Sequence, residues 1–338
     1  MRPAVNRQFL LAARPVGMVK PSDFAYREEP VPVPGPGQVL VRNIWLSLDP
    51  AMRGWMNEGR SYIAPVGIGE VMRGGTVGEV VVSNSPGFPI GRIITGMLGW
   101  QDYAISDGKG LSPVPPGPPI STALGVLGMP GLTAYFGLLD VGQPKAGETV
   151  VVSAAAGAVG SIVGQIAKIT GCRAVGIAGS AQKCRWLVRE LGFDAAINYR
   201  TENVSDELRA HCPGGIDLYF DNVGGDILDT VLRRINLRAR VVICGAISQY
   251  NSIGPVPGPS NILSLLVNRA RMEGFIVFDY AKRYGEGRAA LAAWLAEGRL
   301  KYAEDIVEGL ENAPVALLRL FEGKNTGKVL VKVSDEPR

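Results

Sequence analysis

The chain has 338 residues, 46% of them hydrophobic, which is enough apolar material for two domains with real cores. Its 35 Lys and Arg stand against 31 Asp and Glu, and a net charge of +4 spread along the chain argues against a nucleic-acid partner. No membrane span or secretory signal is expected, because the weakly polar stretches near 122–139 and 150–167 are broken by Gly, Ser or Pro and the short run Phe9–Ala13 meets Arg14 at once; a cytoplasmic protein is expected.

The first 120 residues or so are rich in Pro, Gly and β-branched residues. Pro30-Val31-Pro32-Val33-Pro34-Gly35-Pro36-Gly37 is a turn-rich entry to a strand over 38–43, and further short strands are predicted at 76–82, 92–97 and 100–105. This spacing predicts a small irregular β-barrel or sandwich, closed by a stiff linker at Pro113–Pro119. The pattern then changes. Strands at 149–153, 173–178, 195–198, 216–220 and 240–244 alternate with helices at 158–170, 181–191, 203–211 and 225–235, the signature of a parallel sheet covered on both faces. A strand near 274–277 and a helix near 286–297 continue it. From about residue 304 the tail adds a helix at 313–322 and a strand over 327–333.

The most informative stretch is Thr149–Ser161. A β-branched run stops at a small-residue turn, and an apolar segment with Ile162, Ile166 and Ile169 on one side follows. The turn reads Ala155-x-Gly157-x-x-Gly160, a dinucleotide fingerprint with alanine in the first glycine slot. Small residues there let the backbone approach a pyrophosphate, and the helix start offers free N–H groups and a positive dipole end. The next strand, Arg173–Ala178, ends in Gly179-Ser180 instead of the Asp or Glu that an NAD site uses on the ribose, and Lys183 and Arg185 follow. A missing carboxylate with nearby cations favours the 2′-phosphate of NADPH over NADH; the plainer alternative is a solvated helix start.

The cysteines at 172, 184, 212 and 244 form no close pair with metal-ligand spacing. Cys172 and Cys244, in or beside apolar strands, read as small core residues, and the lone His211 beside Cys212 reads as a surface residue.

Five segments stand in order along the chain: Leu46-Ser47-Leu48-Asp49-Pro50-Ala51-Met52-Arg53-Gly54, Gly128-Met129-Pro130-Gly131-Leu132-Thr133-Ala134-Tyr135, Ala154–Ser161, Phe220-Asp221-Asn222-Val223-Gly224-Gly225 and Ile243-Cys244-Gly245-Ala246-Ile247-Ser248. Together they resemble the medium-chain dehydrogenase/reductase superfamily. Within it they resemble the zinc-independent prostaglandin reductase and alkenal double-bond reductase branch, which includes bacterial curcumin-reductase-like proteins. The resemblance implies an α/β protein: a doubly wound Rossmann domain over 123–304 that binds NADP(H), and an irregular, GroES-like β-barrel from 1–122 and 305–338, with the active site in the cleft and a homodimer formed through the Rossmann domain. It places Gly157, Ala158, Val159 and Gly160 at the pyrophosphate, and Lys183 and Tyr199 at the 2′-phosphate. It places Asn222 where the cofactor crosses the sheet, and Cys244, Gly245, Ala246, Ile247, Ser248 and Tyr250 on the nicotinamide side, with Phe275, Ile276, Val277 and Asn325 completing the set. Ordinary packing for Tyr199 and plain turn chemistry for Asn222 are the alternatives.

Residues 1–150 contain neither Cys nor His, so zinc ligation by thiolate or imidazole in the barrel is impossible there, and carboxylates alone make a poor zinc site. No metal is expected. The chemistry left is hydride transfer to an acceptor needing little activation: an α,β-unsaturated ketone or aldehyde takes hydride at its β-carbon, and a few donors stabilise the enolate oxygen. Tyr62 and Tyr250 are the candidate donors, with plain packing as the alternative for each. Met52, Arg53 and Met129 are candidate pocket residues. Ala51 and Val267 replace tyrosines of many relatives or of the mammalian prostaglandin reductases, which weakens the case for prostaglandin-like specificity. An NADPH:quinone oxidoreductase and a non-catalytic NADPH-binding protein remain alternatives.

Overall fold

Short β-branched runs separated by Gly and Pro turns fold as strands in the first part of the chain: β1 (Val5–Leu11), β2 (Phe24–Pro30), β3 (Val39–Ser47), β4 (Thr76–Ser83), β5 (Ile93–Gly96), β6 (Tyr103–Ser106) and β7 (Ser112–Pro113), with one helical turn, α1 (Met52–Trp55), after β3. From there α2 (Met129–Phe136) leads into an alternation of β8 (Thr149–Val152), α3 (Gly160–Ile169), β9 (Arg173–Ala178), α4 (Ala181–Arg189), β10 (Ala195–Asn198), α5 (Val204–His211), β11 (Ile216–Asp221), α6 (Gly225–Leu232), β12 (Ile235–Ile243), α7 (Leu263–Val267), β13 (Arg271–Gly274) and α8 (Tyr284–Ala296). The chain closes with β14 (Glu304–Glu308), α9 (Ala313–Phe321) and β15 (Lys328–Lys332). This computed structural model describes residues 5–337. It divides into two units, one running to Leu124 and resuming at Glu304, the other covering Gly125–Ala303.

In the first unit the sheet runs in the order β14-β15-β3-β4-β5-β7, with β6 also on β3. β15 pairs antiparallel with β3, Leu330 facing Ser47, so the end of the chain supplies a strand beside an early one. Leu46, Met52, Met56, Trp100, Leu317 and Val331 share its main core. Trp100 lies stacked on Phe24 with centroids 5.0 Å apart. Because Trp100 turns inward there, the strand predicted from residue 100 begins at Tyr103. The β1–β2 pair had no counterpart in the sequence reading: Arg27, Glu28 and Glu29 face solvent and hide its apolar alternation. The Pro113–Pro119 run starts within the sheet, Pro113 facing Ile94.

The second unit is a six-stranded sheet in the order β10-β9-β8-β11-β12-β13, parallel throughout. The first strand sits in the middle, and the connections reverse direction between β8 and β11. Outside the carboxyl ends of the strands at such a reversal, doubly wound sheets bind ligands. Val150 and Val152 join one core with Leu218, Phe220 and α3; Val151 joins the other with Val175, Ile177 and Tyr219. The period of two thus buries both faces, which is why these strands read as unbroken apolar runs.

Several boundaries differ from the prediction. The fingerprint turn runs on to Val159, and α3 begins at Gly160 instead of 158. α6 stops at Leu232, and β12 starts at Ile235, five residues earlier than predicted, its register shifting where Arg238 takes φ of 61°. The last strand is Arg271–Gly274 instead of 274–277. Phe275 sends its ring into the core against Phe220, centroids 6.3 Å apart, and a 3-10 helix follows over Val277–Arg283.

Candidate functional site

In the second unit the candidate residues gather at the carboxyl ends of the strands. After β8 the chain passes through Ala154, whose φ is 46°, so the left-handed position falls one residue before the first fingerprint slot. Ala155 is fully buried and its N–H donates to the Ile177 carbonyl at 3.0 Å. Alanine is therefore tolerated where the fingerprint usually has glycine. At Gly160 a Cβ would lie 2.5 Å from the Ala154 carbonyl oxygen and 2.9 Å from Ala155 Cα, so the close approach requires glycine. No side chain caps the start of α3. A tight turn of small residues at an uncapped helix start fits the pyrophosphate of a dinucleotide. Gly157, Ala158, Val159 and Gly160 stand together there.

After β9, Ser180 caps α4, its Oγ accepting the Lys183 N–H at 3.2 Å. Lys183 is half-buried and Arg185 exposed on the first turn of this helix. Tyr199, from the end of β10, lies over Gly179, where a Cβ would meet its ring at 3.0 Å. The Arg200 guanidinium carbon lies 5.8 Å from the centre of the Tyr199 ring. This edge carries cations and an aromatic face and no acidic residue at the strand end, which suits a phosphate. Arg200 was missed by the sequence reading; its only signal was adjacency to Tyr199.

After β11, the Asn222 backbone N–H bonds Ser153 Oγ at 2.9 Å and its Nδ2 bonds the Ser153 carbonyl at 2.8 Å. After β12, the amides of Cys244 and Gly245 both donate to the Asp221 carbonyl, at 2.9 and 3.1 Å. Ile247 N–H reaches the Asn222 carbonyl and Ser248 N–H the Val223 carbonyl, each at 3.2 Å, and Ser248 Oγ donates to Val223 as well at 2.6 Å. Tyr250 OH accepts the Ala246 N–H at 3.2 Å, folding residues 244–250 onto themselves. Burial, then the charge of Asp221, pushes the Cys244 thiol up to about 12, so it is no nucleophile at neutral pH. Of the remaining candidates, Phe275 and Val277 turn their side chains into the core, Ile276 is half-buried between them, and Met129 is exposed at the start of α2.

The first unit holds the rest. Met52 is fully buried. Arg53 is 3% exposed, and its guanidinium donates to the carbonyls of Pro15 and Gly17 at 3.1 Å and to Asn57. Burial holds its pKa below the ordinary arginine value. Arg53 thus ties α1 to the 15–17 loop. Lys328 is buried and donates to the Leu48 carbonyl at 2.5 Å and to Asp49 at 3.0 Å, so the Leu48-Asp49-Pro50 segment is clasped from β15. Asn325 is buried, its Nδ2 on the Gly327 carbonyl at 3.0 Å. Tyr62 is half-exposed, and its hydroxyl accepts the Trp55 indole N–H at 3.0 Å. An indole can only donate, so the phenol oxygen is the acceptor in this bond.

Similarity to known proteins now adds to this geometry. Residues 7–114 match a family described as the N-terminal domain of oxidoreductase, and residues 158–294 one described as zinc-binding dehydrogenase. The chain is 48% identical over 339 residues to NADPH-dependent curcumin reductase of Escherichia coli, covering 98% of each chain. It is 43% identical over 344 residues to the NADP(+)-dependent 2-alkenal reductase of Nicotiana tabacum, again with 98% of each covered. The chain belongs to the zinc-independent branch of the medium-chain dehydrogenase/reductase superfamily. A crystal structure of this branch, CurA of Vibrio vulnificus in complex with NADPH, has 49% identity and a TM-score of 0.93 over 98% of this chain and 100% of that one. Although the second family carries zinc in its description, among the described residues no group of three or more His, Cys, Asp or Glu is placed to hold a metal ion.

Proposed function

We propose that the protein reduces the carbon–carbon double bond of α,β-unsaturated ketones and aldehydes with NADPH and without a metal. The observation that carries this reading is the carboxyl edge of the second unit. A glycine-tight turn meets an uncapped helix there, and beside it Lys183, Tyr199 and Arg200 stand where an NAD site would place a carboxylate. The named activities of the E. coli and tobacco relatives, and NADPH in the Vibrio structure, support the same chemistry.

Bound NADPH supplies a hydride to the β-carbon of the substrate. The protein's part is to position the reactants and to stabilise charge on the carbonyl oxygen. Tyr62 is the donor of choice: the Trp55 N–H bonds its oxygen, and a phenol that accepts one hydrogen bond can also donate one, here to the developing enolate. A proton then reaches the α-carbon and the saturated carbonyl compound leaves. Tyr250 is the second candidate donor, its hydroxyl accepting the Ala246 N–H within the 244–250 turn. Lys183 and Tyr199 hold the 2′-phosphate, and Asn222 and the 244–248 backbone hold the nicotinamide half. The cytoplasm, with its NADPH supply and reducing conditions, suits this activity and the four free cysteines.

The test follows NADPH oxidation with 2-alkenals, 2-alkenones, an aryl enone and a benzoquinone, NADH in parallel, and identifies products by mass and NMR. A saturated ketone or aldehyde formed with NADPH preferred supports the proposal. Turnover of the quinone alone, or NADPH binding without turnover, rejects it.

A homodimer forms through the edge strand β13. That strand ends the sheet, and the preceding α7 exposes Leu266 and Val267 at 74% and 66%. Light scattering on Val267→Asp is expected to show a monomer where the parent chain is a dimer; a parent chain that is itself monomeric refutes the assignment.

A further inference from the structure

Sheet hydrogen bonds hold strands in register only as far as the ladders run. Here they end at Val152 opposite Phe220 and at Asp221 opposite Ile243. The turns that follow β8, β11 and β12 lie beyond the ladders, and one side chain joins them. Asp221 is 1% exposed. Its Oδ1 accepts from Ser153 Oγ at 3.0 Å, from Tyr219 OH at 2.8 Å, and from the amides of Val223 and Gly224, both at 2.9 Å. Its backbone oxygen takes the amides of Cys244 and Gly245. Ser153, held by Oδ1, passes the constraint to Asn222 through its own Oγ and carbonyl. The second carboxyl oxygen, Oδ2, is buried and has no partner among the described residues.

We propose that Asp221 is a positioning residue, whose Oδ1 fixes the ends of β8, β11 and β12 in the arrangement in which Asn222 and the Cys244–Gly245 turn hold the nicotinamide half of NADPH. This rests on the reading of those turns as the cofactor's seat. The load falls on one oxygen, so an amide in place of the carboxylate keeps the acceptor that matters: Asp221→Asn retains Oδ1 and alters only the position where Oδ2 bonds nothing. Asp221→Ala removes all four hydrogen bonds at once, and Ser153→Ala removes one of the four together with the Oγ link to the Asn222 N–H, leaving the carbonyl link in place.

The experiment measures NADPH affinity directly, by quenching of tryptophan fluorescence, together with KM and kcat on an enone and the melting temperature. Asp221→Ala is expected to weaken NADPH binding about tenfold or more, with KM for NADPH rising in step, on the usual strength of hydrogen bonds to a charged acceptor. Asp221→Asn is expected to restore binding to within about threefold, on the same accounting. Ser153→Ala is expected to weaken binding severalfold and serves if Asp221→Ala does not fold. Val231→Ala, a core truncation in the same unit, lowers the melting temperature comparably and leaves NADPH affinity alone. If Val231→Ala loses affinity in the same proportion, the role is general stability and the proposal fails. If Asn222→Ala weakens binding while the Asp221 and Ser153 variants do not, the cofactor reading stands and the positioning role is wrong. If none of them changes binding, including Asn222→Ala, the cofactor sits elsewhere and both readings fall.

Discussion

Gly160→Ala tests the central claim of the site, that the backbone at the start of α3 is shaped for a pyrophosphate. The added methyl would stand 2.5 Å from the Ala154 oxygen and 2.9 Å from Ala155 Cα. Neither atom is a side-chain tip that can swing away. Carbon–oxygen contact normally begins beyond 3 Å, so the turn must open by several tenths of an ångström. Overpacking of this kind costs about 1–3 kcal/mol. The same displacement moves the amides that would face the phosphates; losing one charge-assisted hydrogen bond, worth about 1.5–3 kcal/mol, weakens NADPH roughly 10- to 150-fold. Gly164→Ala is the matched comparison. Its methyl would run into the Phe193 ring, in the core behind the same helix, and no phosphate is read there. Titration calorimetry with NADPH and thermal unfolding of the two variants separate the effects. Both melt lower than the parent chain, and only Gly160→Ala loses affinity by tenfold or more. Parent-like affinity in Gly160→Ala, or an equal loss in Gly164→Ala, refutes the reasoning.

Lys183→Ala is expected to raise KM for NADPH about 10- to 100-fold and to leave NADH within about threefold, because only the 2′-phosphate distinguishes them; Arg200→Ala does the same more weakly, from a more solvated position. Equal losses with both cofactors count against the assignment. Tyr62→Phe is expected to lower kcat about 10²- to 10³-fold, the usual cost of one oxyanion donor, and Trp55→Phe, which only frees the phenol, about three- to tenfold; steady-state kinetics at saturating NADPH shows whether that ranking holds. The Cys212 thiol is fully buried, and burial pushes it from 9.0 up to about 11. The unfolded chain ionises this thiol near pH 9 and the folded one does not, so stability is complete below pH 9 and declines as pH rises toward 11, by about 1.4 kcal/mol per pH unit. Melting temperature against pH should fall less steeply in Cys212→Ala, and parallel curves would remove the thiol from the explanation.

The alternation of β8 to β12 with α3 to α6 was legible because each element buries a continuous or periodic apolar face, and Gly157 and Gly160 announce a turn that little else needs. The β1–β2 pair was not legible, since half of its residues serve solvent. The roles of Ser153 and Asp221 were hidden for another reason: both lie inside segments whose neighbours carry the resemblance, and only the folded chain brings Ser153 within 3.0 Å of a carboxylate 68 positions later. Arg53 reads as a candidate pocket residue in the sequence, and its bonds to the main-chain carbonyls of Pro15 and Gly17 were not legible there, because they depend on the distant 15–17 loop. What the sequence does not show for Tyr250 is that its hydroxyl also accepts the Ala246 N–H within its own turn.

The pairing of β15 with β3 sets an order on biosynthesis. The two strands are about 280 residues apart in the chain, while every strand of the six-stranded sheet comes from the uninterrupted stretch Gly125–Ala303. On the ribosome that middle unit can assemble as it emerges. The Trp45–Ser47 end of β3 must wait with one edge open until Lys328–Lys332 is made, and the buried Lys328 clasp on Leu48 and Asp49 waits with it. Such a late, long-range closure makes the first unit the slow step of folding and its nascent edge the segment that chaperones have most reason to guard.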